Sequence, residues 1–114
     1  MYAKPMLELE IAPAELAREM AADPEGILLL DVREPWEWRI AHIVGSKPIP
    51  MNEIPARAFE ELDPEARLVA VCHAGVRSMK VAAWLRNRGF EKAQSLRGGI
   101  DAWSCQVDSC LPRY

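Results

Sequence analysis

Two apolar runs, Ile27-Leu28-Leu29-Leu30 and Leu68-Val69-Ala70-Val71, each stop at a residue of a different kind, Asp31 in the first case and Cys72 in the second. An unbroken apolar run of this length suits a strand covered on both faces, and such strands belong to parallel sheets packed between helices. The pattern predicts helices where that architecture needs them. Pro13 opens one at its first position, with Leu16, Ala17 and Met20 on one face, and Asp23-Pro24 closes it. A short helix is predicted from Glu34 to Ile40, and Ile54, Ala58 and Leu62 mark another that stops at Asp63-Pro64. Ser78 to Arg88 reads as a further helix, with Val81, Trp84 and Leu85 at helical spacing and Gly89 just past its end. Leu7 to Ile11 alternates apolar and acidic residues, and Lys47 to Pro50 is confined to a sheet edge by its prolines. Lys92 to Leu96 is the last extended piece, after which Gly98-Gly99 turns into a short helix through Trp103. Strands alternating with short helices predict an open α/β sheet, mostly parallel, with helices on both faces. Ligands on such sheets bind beyond the carboxyl ends of the strands, where Asp31 and Cys72 both fall.

At 114 residues, half of them hydrophobic, the chain is expected to form one domain, residues 1–114, that buries about two-thirds of its unfolded surface. The net charge of -3 argues against nucleic acid as a partner. Charge is uneven, however. Arg77, Lys80, Arg86, Arg88, Lys92 and Arg97 face only Glu91 over one stretch, which is either a solvated helix face or a positive field that draws anionic substrates. No apolar stretch approaches the ~20 residues that span a bilayer, and the N-terminus lacks a signal pattern. The expectation is therefore no membrane partner and a cytoplasmic address. Cys72, Cys105 and Cys110 cannot all pair within one chain, and their spacing lacks the paired cysteines and histidines of a zinc site. Neither a disulfide scaffold nor a metal is expected.

The segment Cys72-His73-Ala74-Gly75-Val76-Arg77 joins a predicted strand to a predicted helix. A tight loop there brings backbone N–H groups and a positive helix end toward the thiol, a setting that stabilises a sulfur anion, the reactive form of cysteine. A lone cysteine after a strand is more often a buried small hydrophobe. Three neighbours change that reading. Gly75 permits a turn that other residues resist, Arg77 can reach across the loop to complete an anion cradle, and Ser78 can cap the following helix. Sulfur chemistry at Cys72 is the expected function.

The run Cys72-x-x-Gly75-x-Arg77-Ser78 resembles the active-site loop of the rhodanese-like sulfurtransferases. Three further stretches resemble the same family. Leu29-Leu30-Asp31-Val32-Arg33-Glu34 through Glu37-Trp38, with His42-Ile43-x-Gly45, is similar to its D-V-R-x-x-x-E-[FYW] and G-H-I-x-G-A region. Gly89-Phe90 matches the helix exit, and Leu96-Arg97-Gly98-Gly99-Ile100-Asp101-Ala102-Trp103 matches its L-x-G-G-x-x-A-W segment. The resemblance covers nearly the whole chain and implies a five-stranded rhodanese-like sheet. It also implies a persulfide on Cys72, loaded from a small anionic donor such as thiosulfate and unloaded onto cyanide, a thiol or a protein, with no cofactor. His73, Ala74, Gly75 and Val76 would present backbone N–H groups, and Arg77 would brace the loop and hold the anion.

Other positions keep two readings each. Asp31 is either structural, capping the helix after it or pairing with Arg33, or a supporting residue of the site, and Arg33 is either an ion-pair partner or a substrate contact. His73 either tunes donor choice or points outward, His42 reads as structural, and Trp84 and Trp103 read as core. Ala41 and Ser46 stand where the family often has Gly and Ala, small departures that leave the fold reading intact. Cys105 and Cys110 are either incidental surface thiols or a tail disulfide or resolving pair. Three rival functions remain in view: a cysteine phosphatase, whose pattern places five residues between Cys and Arg where this chain has four; a non-catalytic interaction module, whose members usually lack the Cys; and a sulfur relay to a protein, suggested by the Glu37 to Ile43 stretch and the Pro112-Arg113-Tyr114 tail.

Overall fold

The computed structural model describes residues 7–114. Strands β1 (Glu10–Ile11), β2 (Ile27–Asp31), β3 (Lys47–Pro48), β4 (Arg67–Val71) and β5 (Ala93–Leu96) alternate with helices α1 (Pro13–Ala22), α2 (Pro35–Ile40), α3 (Ile54–Glu61), α4 (Val76–Arg86) and α5 (Gly99–Gln106). The strands form one sheet in the order β1-β5-β4-β2-β3, and every pairing is parallel. The two apolar runs lie side by side in its middle, with Leu28 opposite Leu68 and Asp31 opposite Val71.

Alternation along these strands divides the core. Leu28 and Leu30 of β2, with Leu68 and Ala70 of β4, pack against Ile54, Ala58, Leu62, Val81, Leu85 and Phe90, so α3 and α4 cover that face. Leu29, Val69 and Val71 turn the other way onto Leu16, Ile100 and Trp103, so α1 and α5 cover the second face. Each fully buried aliphatic side chain of this set contributes about 1.5–3 kcal/mol. Trp103 lies in the second cluster and Trp84 packs against the first from a half-buried position, both as core residues.

Three local differences from the sequence expectations have physical causes. The first strand contracts to Glu10–Ile11. Side chains take the place of the ladder before it, because Arg86 donates to the carbonyls of Leu7 and Glu8, and Gln94 donates to Glu8 as well. Next, α4 begins at Val76 rather than Ser78, because Gly75 sits at the N-cap with φ +101° and turns the chain into the helix early. Ser78 is then inside the first turn and does not cap. Finally, β5 begins at Ala93 rather than Lys92, and its burial rests on polar partners of Gln94 and Ser95 that the hydropathy pattern mutes.

Candidate active site

β4 delivers Cys72 to the carboxyl edge of the sheet, where the thiol is 1% exposed and faces the first turn of α4. Two backbone donors converge on its sulfur. Gly75 N–H lies 3.1 Å from Sγ, and Ser78 N–H lies 3.3 Å away. The Ser78 hydroxyl is 3.2 Å from the same sulfur and 2.7 Å from the Ser95 hydroxyl, so a chain of two buried hydroxyls runs from β5 to the thiol. The N–H groups of His73, Ala74, Val76 and Arg77 find no protein acceptor among the described residues. Donors therefore remain for an incoming anion at the positive end of an eleven-residue helix.

The loop is seated by the glycine pair Gly98-Gly99. Ile100 N–H donates to the Cys72 carbonyl at 2.8 Å, and Asp101 N–H donates to the His73 carbonyl at 3.1 Å, so α5 grips the loop backbone at its N-terminal end. A β-carbon on Gly99, which has φ +64°, would fall 2.3 Å from the His73 oxygen and 2.5 Å from the Cys72 oxygen. Only glycine lets the two backbones approach this closely. Gly98-Gly99 thus does more than turn the chain, and its glycine pair was the sequence signal for that contact.

Arg77 does not span the loop to complete an anion cradle. Its two terminal nitrogens form a fork with Glu37, at 2.6 Å to Oε1 and 2.8 Å to Oε2. Glu37 also accepts from Glu34 N–H on Oε1 and from the Tyr114 hydroxyl on Oε2. All four acceptor directions of the carboxylate are occupied. The Arg77 hydrogen bonds, overcoming desolvation and helped by Tyr114 and Glu34, hold the Glu37 carboxyl down at about 2. The same ion pair raises the Arg77 pKa above the ordinary arginine value. A guanidinium committed in this way braces the loop, and the sulfur meets backbone N–H groups instead. Glu37 lies inside the family-like motif, and the sequence signal for its role is that a carboxylate inside a short helix of a buried α/β core requires a cationic partner.

Asp31 and Arg33 form a closed pair at the end of β2. Arg33 Nε and Nη2 both reach the Asp31 carboxylate, at 2.9 and 2.7 Å. Nη2 also donates to the Ala41 carbonyl at 2.7 Å, and Nη1 donates to the Tyr114 hydroxyl at 2.9 Å. Burial disfavours the Arg33 charge, yet its bonds to Asp31 and Tyr114 outweigh that and keep its pKa raised. Asp31 pairs with Arg33 and also accepts from its backbone N–H at 3.1 Å; Glu34, not Asp31, is the N-cap of α2.

His42 stacks on Trp38 with ring centroids 3.8 Å apart, and its Nδ1 donates to the Trp38 carbonyl at 3.0 Å, a structural position. The basic stretch after the loop is mostly tied down. Arg86 holds three backbone carbonyls, Arg97 approaches Glu10, Lys92 donates to the Glu65 carbonyl, and Arg88 lies over the Trp84 ring. These contacts make the side chains struts around α4 and β5. Cys105, on α5, and Cys110, beyond it, are exposed and unpaired.

The rhodanese-like domain model matches residues 12–106. The chain is 36% identical over 105 residues to a Mycobacterium tuberculosis protein named "Probable adenylyltransferase/sulfurtransferase MoeZ", covering 91% of this chain and 26% of that one. It is 34% identical over 98 residues to a Pseudomonas fluorescens protein named thiosulfate sulfurtransferase GlpE, covering 86% and 87% respectively. A crystal structure of a rhodanese-like domain protein from Staphylococcus aureus superposes with a TM-score of 0.77 at 29% identity, covering 94% of this chain and 99% of the other. The chain spans less than a third of the length of several curated relatives that it matches. No helix among the described residues is long and apolar enough to cross a membrane.

Proposed function

The chain belongs to the rhodanese-like domain family of sulfurtransferases, and from that premise we propose that it moves a sulfane sulfur from a small anionic donor such as thiosulfate to a thiophilic acceptor through a persulfide on Cys72. The observation that carries this reading is the sulfur of Cys72, held by the Gly75 and Ser78 N–H groups at the head of α4 beside further donors that find no acceptor among the described residues.

The Cys72 thiolate attacks the outer sulfur of thiosulfate. A Cys72–sulfur bond forms, the bond to the sulfonate breaks, and sulfite leaves with the bonding electron pair. The terminal persulfide sulfur keeps a negative charge that the loop N–H groups of residues 73–78 stabilise. Cyanide or a thiolate then attacks that terminal sulfur, and the Cys72 thiolate departs as leaving group. Two displacements through one covalent intermediate imply ping-pong kinetics. Arg77 serves by bracing the loop through Glu37, and Asp31 and Arg33 support the platform beneath it. Once Cys72 is a thiolate, the Ser78 hydroxyl turns to donate to the sulfur, and the Ser95 hydroxyl backs Ser78. Four residues between Cys72 and Arg77 make a tighter loop than the five of cysteine phosphatases, which favours a sulfur atom over a tetrahedral phosphate.

A protein acceptor is the second reading. It is favoured by the pairing of adenylyltransferase and sulfurtransferase in the name of the mycobacterial relative, and by Val76, 66% exposed within the loop itself. It alters the acceptor and leaves the chemistry in place. Initial rates at varied thiosulfate and cyanide test the main reading: parallel double-reciprocal lines and no turnover of an aryl phosphate are expected. Aryl phosphate turnover that disappears in Cys72→Ser would replace it with a phosphatase.

A further inference from the structure

Tyr114 lies after α5, far in sequence from the Cys72 loop, yet it reaches both flanks of that loop. Its hydroxyl donates to Glu37 Oε2 at 2.6 Å and accepts from Arg33 Nη1 at 2.9 Å. Glu37 is the residue that grips both terminal nitrogens of Arg77. The tyrosine ring meets the other flank directly, edge-on to the His73 imidazole with centroids 4.3 Å apart and planes at 90°. One side chain thus contacts the residue next to Cys72 and, through one carboxylate, the last residue of the loop.

The path of the segment before Tyr114 is fixed as well. Arg113 forks onto Asp101 at 2.7 and 3.1 Å, and Asp101 is the residue whose N–H holds the His73 carbonyl. Leu111 packs against the cluster that contains Ile100 and Trp103, and its carbonyl accepts from the Ser104 hydroxyl. These ties bring the tyrosine back from α5 to the loop. Without its hydroxyl, one of the four acceptor directions on Glu37 falls vacant, and the carboxylate gains freedom to rotate away from the Arg77 fork.

Building on the sulfur-transfer reading of Cys72, we propose that Tyr114 is a positioning residue of the active-site loop, which fixes Glu37 in the orientation that grips Arg77 and braces His73 from outside. A purely structural role is the alternative, since the same hydroxyl also completes the bonding of buried Arg33. The two differ in whether the effect of Tyr114 passes through Arg77.

The test is a thermodynamic cycle in a Cys105→Ser/Cys110→Ser background, where Cys72 is the one thiol. Tyr114→Phe, Arg77→Ala and the double variant are compared in iodoacetamide capture of Cys72, in persulfide loading from thiosulfate, and in thermal unfolding. Coupled residues give non-additive effects. Tyr114→Phe is expected to slow capture and loading severalfold in the Arg77 protein and to cause no further slowing in Arg77→Ala. Its loss of thermal stability, which runs through Arg33, is expected in both. Equal slowing in the two backgrounds, or none in either, would overturn the positioning role. Iodoacetamide assumes no sulfur chemistry, so the two readings fail separately. A non-additive capture cycle with no persulfide in any variant would sink sulfur transfer and leave the positioning role standing. Normal loading with an additive cycle would do the reverse.

Discussion

β2 and β4 are neighbours in the sheet, run parallel and end level with each other, yet their ends do opposite things. At the end of β2 a buried carboxylate meets a buried guanidinium, and Arg33 spends its donors on Asp31, Ala41 and Tyr114. At the end of β4 a buried thiol meets two backbone N–H groups, and four others in the same loop find no acceptor among the described residues. The first exit is saturated and therefore structural. The second keeps donors without an acceptor among the described residues, and these are the groups that the proposed persulfide would use. Glu37 and Tyr114 join them, since one bonds Arg77 and the other bonds both Glu37 and Arg33.

The largest effects should separate the two exits. Cys72→Ser is expected to reduce thiosulfate:cyanide transfer to background while circular dichroism and urea unfolding remain close to those of the parent. Arg33→Ala leaves Asp31 charged and buried without its partner, a change that typically costs about 3–5 kcal/mol. Urea unfolding should show that loss. If Arg33→Ala kept full stability and lost only activity, the β2 exit would belong to the catalytic apparatus and the contrast would fail.

Arg77→Lys comes next. An ammonium keeps the charge but cannot form the rigid fork on Glu37. Turnover is expected to fall severalfold with little change in stability; wild-type turnover would show that charge alone suffices. The pH dependence of stability sharpens the same point. Glu37 titrates at about 2 in the folded chain against an ordinary value of 4.5. The folded state therefore binds fewer protons than the unfolded state between those values. The stabilisation is complete above the unfolded value and is lost as pH falls from about 4.5 toward 2. Urea midpoints measured over that window should decline less steeply in Glu37→Gln than in the parent. Parallel declines would remove Glu37 from the account.

The central strands, the loop and the order of helices were legible because each is written in consecutive residues. Ile27 to Leu30 and Leu68 to Val71 carry their burial in hydropathy, and Cys72, Gly75 and Arg77 carry the loop in spacing. The partners of those residues were not legible. Glu37 bonds a residue forty positions away and Tyr114 bonds one seventy-seven away, and those meetings follow from the strand order, which no local pattern encodes. Ser95 was hidden for a related reason: its polarity is satisfied by Ser78 in the buried interior, and the sequence marks it only as one residue of the Lys92 to Leu96 strand. α4 starts two residues before the expected Ser78 because Gly75, and not a side-chain cap, sets its beginning.

The smallest effect is expected at Cys105 and Cys110. Both are exposed and unpaired, and Cys105→Ser/Cys110→Ser should transfer sulfur to cyanide and to a dithiol at wild-type rates. A loss confined to the dithiol would add these thiols to the mechanism.

The central claim is that the open exit of β4 carries the transferred sulfur. Intact mass measured after incubation with thiosulfate, followed by peptide mapping under non-reducing conditions, addresses it without any acceptor. The account predicts one added sulfur atom, on the peptide that contains Cys72, and none in Cys72→Ser. Sulfur found on Cys105 or Cys110 instead, or a chain that gains none, would contradict it.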